Sequence, residues 1–143
     1  MAKTTIVIPC YDEADRLSMT VFAEQLASDP ETDFIFVDDG SRDGTRGVLQ
    51  QMAELEPERI HVLGLPVNRG KAEAVRIGIL AALDQDSDFV GYLDADLATP
   101  LREISRLRAI LEEKPEVEIV LGSRVQLLGR RIQRSPFRHY VGR

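Results

Sequence analysis

Cysteine, tryptophan, histidine and long apolar runs are scarce in this chain, and each scarcity removes a class of protein. A single cysteine, Cys10, cannot close an internal disulfide, which excludes a disulfide-stapled scaffold and fits a reducing compartment. The two histidines, His61 and His139, form no metal-ligand spacing with each other or with Cys10, and His61 reads as an ordinary strand residue. No stretch approaches the roughly 18 apolar residues that crossing a bilayer requires. Met1-Ala2-Lys3-Thr4-Thr5 leads straight into a β-branched run rather than into an apolar secretory region. The expected location is cytoplasmic, with a peripheral position at the inner membrane face left open, and no nucleic-acid partner is expected. Repeats, low-complexity tracts and linkers are absent as well.

Acidic residues are missing from one region only. All 24 lie at or before Glu118 together with 12 bases, whereas residues 119–143 carry Arg124, Arg130, Arg131, Arg134, Arg138 and Arg143 and no acid. An acidic body with a basic end suggests an anionic partner at that end, phosphate groups or an acidic membrane surface; a solvated tail is the alternative. With 143 residues, 43% of them hydrophobic and 29% charged, the chain has the composition of one soluble domain. Residues 1–123 read as its α/β body and 124–143 as a basic segment.

Apolar periodicity alternates strand and helix along the body. Strands are expected at Thr4–Ile8 (ended by Pro9), Phe34–Val37, Ile60–Leu65, 89–93 and Glu118–Gly122. Helices are expected at Arg16–Ala27, Thr45–Leu55, Lys71–Leu83 and Pro100–Glu113, the last entered through Thr99-Pro100. Near-continuous apolar strands alternating with helices imply a mostly parallel, Rossmann-like α/β sheet with helices on both faces. Right-handed crossovers then bring every strand's C-terminal end to one edge. If the strand order is 3-2-1-4, a crevice opens there between strands one and four, where ligands of such sheets bind.

The polar loops fall on that edge. Asp94 and Asp96 follow strand four, one residue apart; two such carboxylates either share a proton or hold a cation, and Mg2+ or Mn2+ accepts one or two protein carboxylates with water and phosphate oxygens. Solvated turn residues, one of them capping the next helix, are the competing reading. Pro9, Tyr11 and Glu13 follow strand one, where Tyr11 offers a face to a base or sugar and Glu13 an acceptor to hydroxyls. Asp38 and Asp39 leave strand two beside Gly40, placed to accept from a base N–H or to bind the turn's own backbone donors. Asn68 and Lys71 flank a glycine at a helix start that suits an anion. Arg124 ends the fifth strand and is placed to grip a phosphate.

In order, the stretches IVIPCYDE, FVDDGSRDGT, NRGKAEAVRIG, GYLDADLATP and VLGSR resemble the family 2 inverting glycosyltransferases, most closely the polyprenyl-phosphate branch that contains dolichyl-phosphate β-glucosyltransferases. The resemblance spans nearly the whole chain. It implies a glycosyltransferase A-type fold, a UDP-glucose or GDP-mannose type donor, and a lipid-phosphate acceptor at a membrane surface. It further implies a donor site lined by Pro9, Tyr11, Glu13, Asp38, Asp39, Asn68 and Lys71, and Mg2+ or Mn2+ at Asp94 and Asp96, with Asp96 the direct ligand. Asp96, Lys71 and Arg124 are the implied catalytic set, acting on the leaving diphosphate, and residues 134–140 resemble the segment facing the lipid phosphate. Ala98 stands where the mannosyl branch usually has glutamine, which favours the glucosyl-type branch. The family's catalytic domain runs on past residue 143, so a chain short on its acceptor side is expected, with pairing of two copies a further expectation. Two other readings stay open: a nucleotide-sugar-binding fragment without transferase activity, and a phosphoacceptor signalling domain.

Overall fold

The computed structural model describes residues 1–123. Eight elements alternate: β1 (Thr4–Cys10), α1 (Met19–Ser28), β2 (Thr32–Asp38), α2 (Thr45–Leu55), β3 (Ile60–Gly64), α3 (Lys71–Leu83), β4 (Phe89–Tyr92) and α4 (Glu103–Glu113). The four strands pair in parallel in the order β3-β2-β1-β4. The direction of winding therefore reverses between β1 and β4, and the crevice lies at their C-terminal ends.

The period of two along β1 and β2 sorts their side chains onto two faces. Ile6, Ile8, Phe34 and Phe36 pack with Phe22 and Leu26 of α1, Leu49 and Met52 of α2, and Ile104 of α4. Val7, Ile35 and Val37 pack on Ala74 and Ala82 of α3. Phe22 is the hub of the first layer, edge-on to Phe34 and Phe36 at centroid distances of 5.2 and 5.0 Å. Burying each such ring contributes roughly 1.5–3 kcal/mol. On the other face α3 lies close to the sheet because Gly78 carries no side chain: a Cβ there would stand 2.3 Å from Val7 Cγ1.

The sheet's N-terminal edge is closed by a buried ionic network. Arg108 donates to both carboxylate oxygens of Asp29 at 2.8 Å, and Arg59 donates to the carbonyls of Leu26, Asp29 and Thr32. Both polar edges are thus committed: this one to structure, the opposite one to the loops of the crevice.

Several element boundaries differ from those read in the sequence, three of them for a reason visible in the hydrogen bonding. β1 runs through Pro9 to Cys10, with Pro9 opposite Val37. Even-numbered residues of β1 bond toward β2 and odd ones toward β4, as Thr4 N–H to Glu31 O and Leu93 N–H to Val7 O show. Proline's missing donor therefore faces the side where β4 has already ended, and the strand loses no bond. α1 begins at Met19, capped by the Ser18 hydroxyl, because residues 13–17 form a turn closed on the Glu13 carbonyl. α4 begins at Glu103 rather than Pro100: residues 100–104 form a tighter turn, with Glu103 N–H on Pro100 O and Ile104 N–H on Leu101 O.

The fifth strand expected at Glu118–Gly122 is not formed. A strand this apolar needs a layer on each face, and no described element covers the outer one; Ile119 and Leu121 stay 74% and 81% exposed. The segment instead borders a groove of about 630 Å³ along the free edge of β4, between α3 and α4. Among the described residues no helix is long and apolar enough to cross a membrane.

Candidate functional site

The loops after β1, β2 and β3 are knitted together before any ligand is considered. Asp12 adopts a left-handed conformation at φ 50°, and its carboxylate accepts the backbone N–H groups of Arg42 (2.8 Å) and Asp43 (3.3 Å). In return the Asp12 N–H donates to Ser41 Oγ, and the Glu13 N–H to Thr45 Oγ1. Gly40, at φ 66°, lets the β2 loop lie against the β3 loop, for a Cβ there would sit 2.4 Å from the Val67 carbonyl carbon. These bonds leave the loops little freedom, which is the condition for holding a ligand in one pose.

Asp38 and Asp39 point inward. Asp38 is 2% exposed and accepts Ser41 N–H and Arg46 Nε, both at 3.0 Å. Asp39 is 3% exposed and accepts Arg69 N–H (2.7 Å) and Gly70 N–H (3.0 Å). Both carboxylates are thus engaged by the chain's own donors, Asp38 by its turn and by α2, Asp39 by the loop after β3. Asp39 thereby holds the segment that starts α3, and Asp38 ties the loop after β2 to Arg46 of α2. Gly70, at φ 93°, has a conformation reserved for glycine, and among the described residues no side chain caps the helix that follows it. The backbone N–H groups of the first turn and the Lys71 ammonium are consequently grouped at the crevice.

Lys71 reaches across to β4, where its Nζ forms an ion pair with Asp94 Oδ1. Apart from that pairing the oxygen is covered, with no hydrogen-bond partner among the described residues. Asp96 Oδ1 accepts the Ala98 N–H at 2.9 Å, and between them Leu97 is held at φ 53° by its N–H on the Asp94 carbonyl. A leucine in the left-handed region costs on the order of 1 kcal/mol or more. Asp12 and Leu97 are the two non-glycine residues with positive φ among the described residues, and they lie on the loops after β1 and β4 that flank the crevice.

Tyr11 is 39% exposed just past β1, and Asn68 is exposed beyond β3. Glu13 pairs with Arg16 at 2.9 Å, and Pro9 sits half-buried in β1. Arg124 and the arginine-rich segment lie outside the described residues. The field under these loops registers on Cys10: burial, and then the negative charges of Glu13 and Asp38, push its thiol far above the usual range. It is a structural thiol with no nucleophilic character.

Among the described residues no three His, Cys, Asp or Glu side chains converge as a closed metal cage. Asp94 and Asp96 offer carboxylate oxygens on a single turn, and among the described residues Asp94 Oδ1 is paired with the Lys71 ammonium alone. That donor set fits Mg2+ or Mn2+, which take few protein ligands and fill the rest with water and phosphate oxygens. Sequence reading missed Asp12, Ser41, Thr45 and Arg46 as loop fasteners. Only Asp12 carried a signal, as a residue type that tolerates positive φ.

Known proteins share sequence and fold with this chain. The model of Glycosyl transferase family 2 matches residues 5–139. Dolichyl-phosphate beta-glucosyltransferase ALG5C of Trichomonas vaginalis is 32% identical, in an alignment covering 97% of this chain and 44% of that protein. The mannosyltransferase PcManGT from Pyrobaculum calidifontis, solved with GDP-Man and Mn2+, superimposes with a TM-score of 0.56 at 22% identity, over 77% of this chain and 32% of that one. S. aureus TarS 1-349 in complex with UDP gives a TM-score of 0.64 at 21% identity, over 94% of this chain and 39% of that one. At such identities the structural likeness establishes the fold, the glycosyltransferase A-type α/β architecture. This chain spans 35–44% of the length of the curated relatives it matches first.

Proposed function

Because the chain belongs to glycosyltransferase family 2, we propose that it forms the donor half of an inverting hexosyltransferase that passes a sugar from a nucleotide diphosphate to a polyprenyl or dolichyl phosphate. The observation that carries this reading is the meeting of Lys71, the uncapped start of α3 and the Asp94-Ala95-Asp96 turn at the crevice between β1 and β4. Positive backbone and side-chain groups stand beside two carboxylates, the arrangement a metal-chelated diphosphate would bridge on displacing the lysine.

Each residue then has a task. The exposed ring of Tyr11 gives the base or sugar an apolar wall. Glu13, held by Arg16 and by its own N–H on Thr45, presents a fixed carboxylate edge to hydroxyls. Asp38 and Asp39 act at one remove, fixing the loops that carry the contacting groups. Asp94 and Asp96 would hold the divalent ion, which when bound supplies positive charge to the leaving diphosphate. Lys71 and the α3 dipole add to that charge without a proton transfer. Arg124, outside the described residues, suits a phosphate by its charge. An acceptor hydroxyl would need a general base, and every carboxylate at the crevice already has a binding role; a lipid phosphate arrives as an anion and needs none. The basic segment after residue 123 suits that acceptor by charge.

A donor-binding fragment is the second reading, favoured by the share of its relatives that the chain spans. The phosphoacceptor reading loses its best candidates, since Asp38 and Asp39 are buried and bonded. Incubation with radiolabelled UDP-glucose or GDP-mannose, Mn2+ and vesicles containing dolichyl phosphate decides between the first two. Label in the extracted lipid supports transfer; donor binding with no lipid label selects the fragment.

A further inference from the structure

We propose that Lys71 is a latch on Asp94: its ammonium holds the first carboxylate of the turn until an anionic donor draws it away, so that a divalent ion enters with the nucleotide and not ahead of it. This positioning role rests on the donor-site reading above and concerns the order of binding.

Three observations carry it. The backbone of Lys71 is fixed, because Asp39 holds the two preceding N–H groups and Gly70 sets the chain direction. The ammonium therefore pairs with Asp94 from a defined point of attachment. Asp94 Oδ1 is covered, on a side chain otherwise 43% exposed, and has no other hydrogen-bond partner among the described residues, so the ion pair is its compensation there. A divalent ion seeking the same oxygen must displace the lysine or share one oxygen with a second cation. With no third carboxylate, histidine or cysteine converging among the described residues, the protein gives an incoming ion little in exchange.

A nucleotide diphosphate changes both sides of that balance. It brings oxygen ligands that complete the ion's shell, and a larger negative charge toward which a half-exposed lysine on a four-carbon stem can turn. Metal and nucleotide then favour each other's binding by the same factor, as linkage requires.

The test is Mn2+ binding followed by electron paramagnetic resonance, with and without UDP-glucose, on the wild type, Lys71→Met, Lys71→Arg and Arg69→Met. Lys71→Met is expected to bind Mn2+ alone at least about fivefold more tightly than the wild type, while Mn2+ with UDP-glucose binds more weakly. Lys71→Arg should stay near the wild type. Arg69→Met removes an equal charge next door and should change Mn2+ affinity no more than about twofold, separating a contact from a general field. Unchanged or weaker Mn2+ binding by Lys71→Met, no Mn2+ binding by either protein, or an equal gain in Arg69→Met overturns the latch. Failure of the wild type to bind UDP-glucose or GDP-mannose under any condition overturns the donor-site reading instead, and the metal-alone series still judges the latch.

Discussion

Replacing Gly40 by alanine and Gly47 by alanine adds the same methyl group twice, and the two changes are expected to move stability in opposite directions. Gly40 sits at φ 66°, where an L-residue costs about 1–2 kcal/mol. Its new Cβ would also meet backbone atoms at 2.4 Å (Val67 C) and 2.5 Å (Asn68 N), too near for any side-chain rotation to relieve. One loop must move by about an ångström, and overpacking of that kind costs roughly 1–3 kcal/mol. The loss should total roughly 2–5 kcal/mol, a fall of the urea midpoint on the order of 1–2 M. Gly47 lies in the first turn of α2 with nothing within 4 Å of its would-be Cβ. Alanine there should add up to about 1 kcal/mol through helix propensity. Urea unfolding followed by far-UV circular dichroism reads both. The Gly40 variant should also bind donor more weakly, since the displaced segment carries Lys71. Equal midpoints for the two variants, or a Gly40→Ala protein as stable as the wild type, would refute the close approach of the β2 and β3 loops on which the site's rigidity depends.

Arg108→Met should cost about 3–5 kcal/mol, because it strands the buried Asp29 carboxylate without its counter-charge; Asp29→Asn added to it should recover part of the loss in the same unfolding assay. Burial raises the Asp29 pKa, but the Arg108 and Thr32 hydrogen bonds and the Arg108 charge outweigh it and leave the group below its ordinary 3.8. The contribution of Asp29 is therefore present above that value and fades as the pH falls below it, a dependence that Arg108→Met should flatten. The Cys10 thiol shifts the other way, raised by burial and then by Glu13 and Asp38. Its contribution is intact below the unfolded value of 9.0 and is lost as the pH climbs beyond it, so Cys10→Ala should flatten the alkaline limb of a stability profile. The same thiol should resist a disulfide reagent at pH 8 until the protein unfolds.

The sheet was legible because its signals are local: continuous apolar strands, helices of matching period, and crossovers of one hand lead to parallel strands and one polar edge. The bounds of α2 and α3 could be read directly, Thr45 and Lys71 each following a glycine. Pro9 looked like a stop because the direction of its missing N–H depends on where β4 ends, which is tertiary information. Glu118–Gly122 has the residues of a strand and lacks the covering layer, which no window of sequence reports.

At the site, the sequence located Tyr11, Glu13, Asn68, Lys71, Asp94 and Asp96 on one edge. It could not say that Asp38 and Asp39 turn inward, since an acid beside a turn serves a ligand or the backbone equally well on paper. Nor does any residue type foretell a leucine at positive φ; Leu97 is held there by the Asp94 carbonyl and the Asp96 side chain that flank it. The pairing of Lys71 with Asp94 joins residues 23 positions apart and appears only once the strands are ordered.

On the proposed function, the turn after β4 takes a divalent ion because a nucleotide diphosphate lies across it. Calorimetric titration of UDP-glucose and of GDP-mannose, with and without Mn2+, on the wild type and on Asp96→Ala tests it most directly. One donor is expected to bind, Mn2+ to strengthen its binding at least about tenfold, and Asp96→Ala to remove the gain while leaving the fold's circular dichroism unchanged. Donor binding of equal strength in both proteins, indifferent to Mn2+, would contradict it.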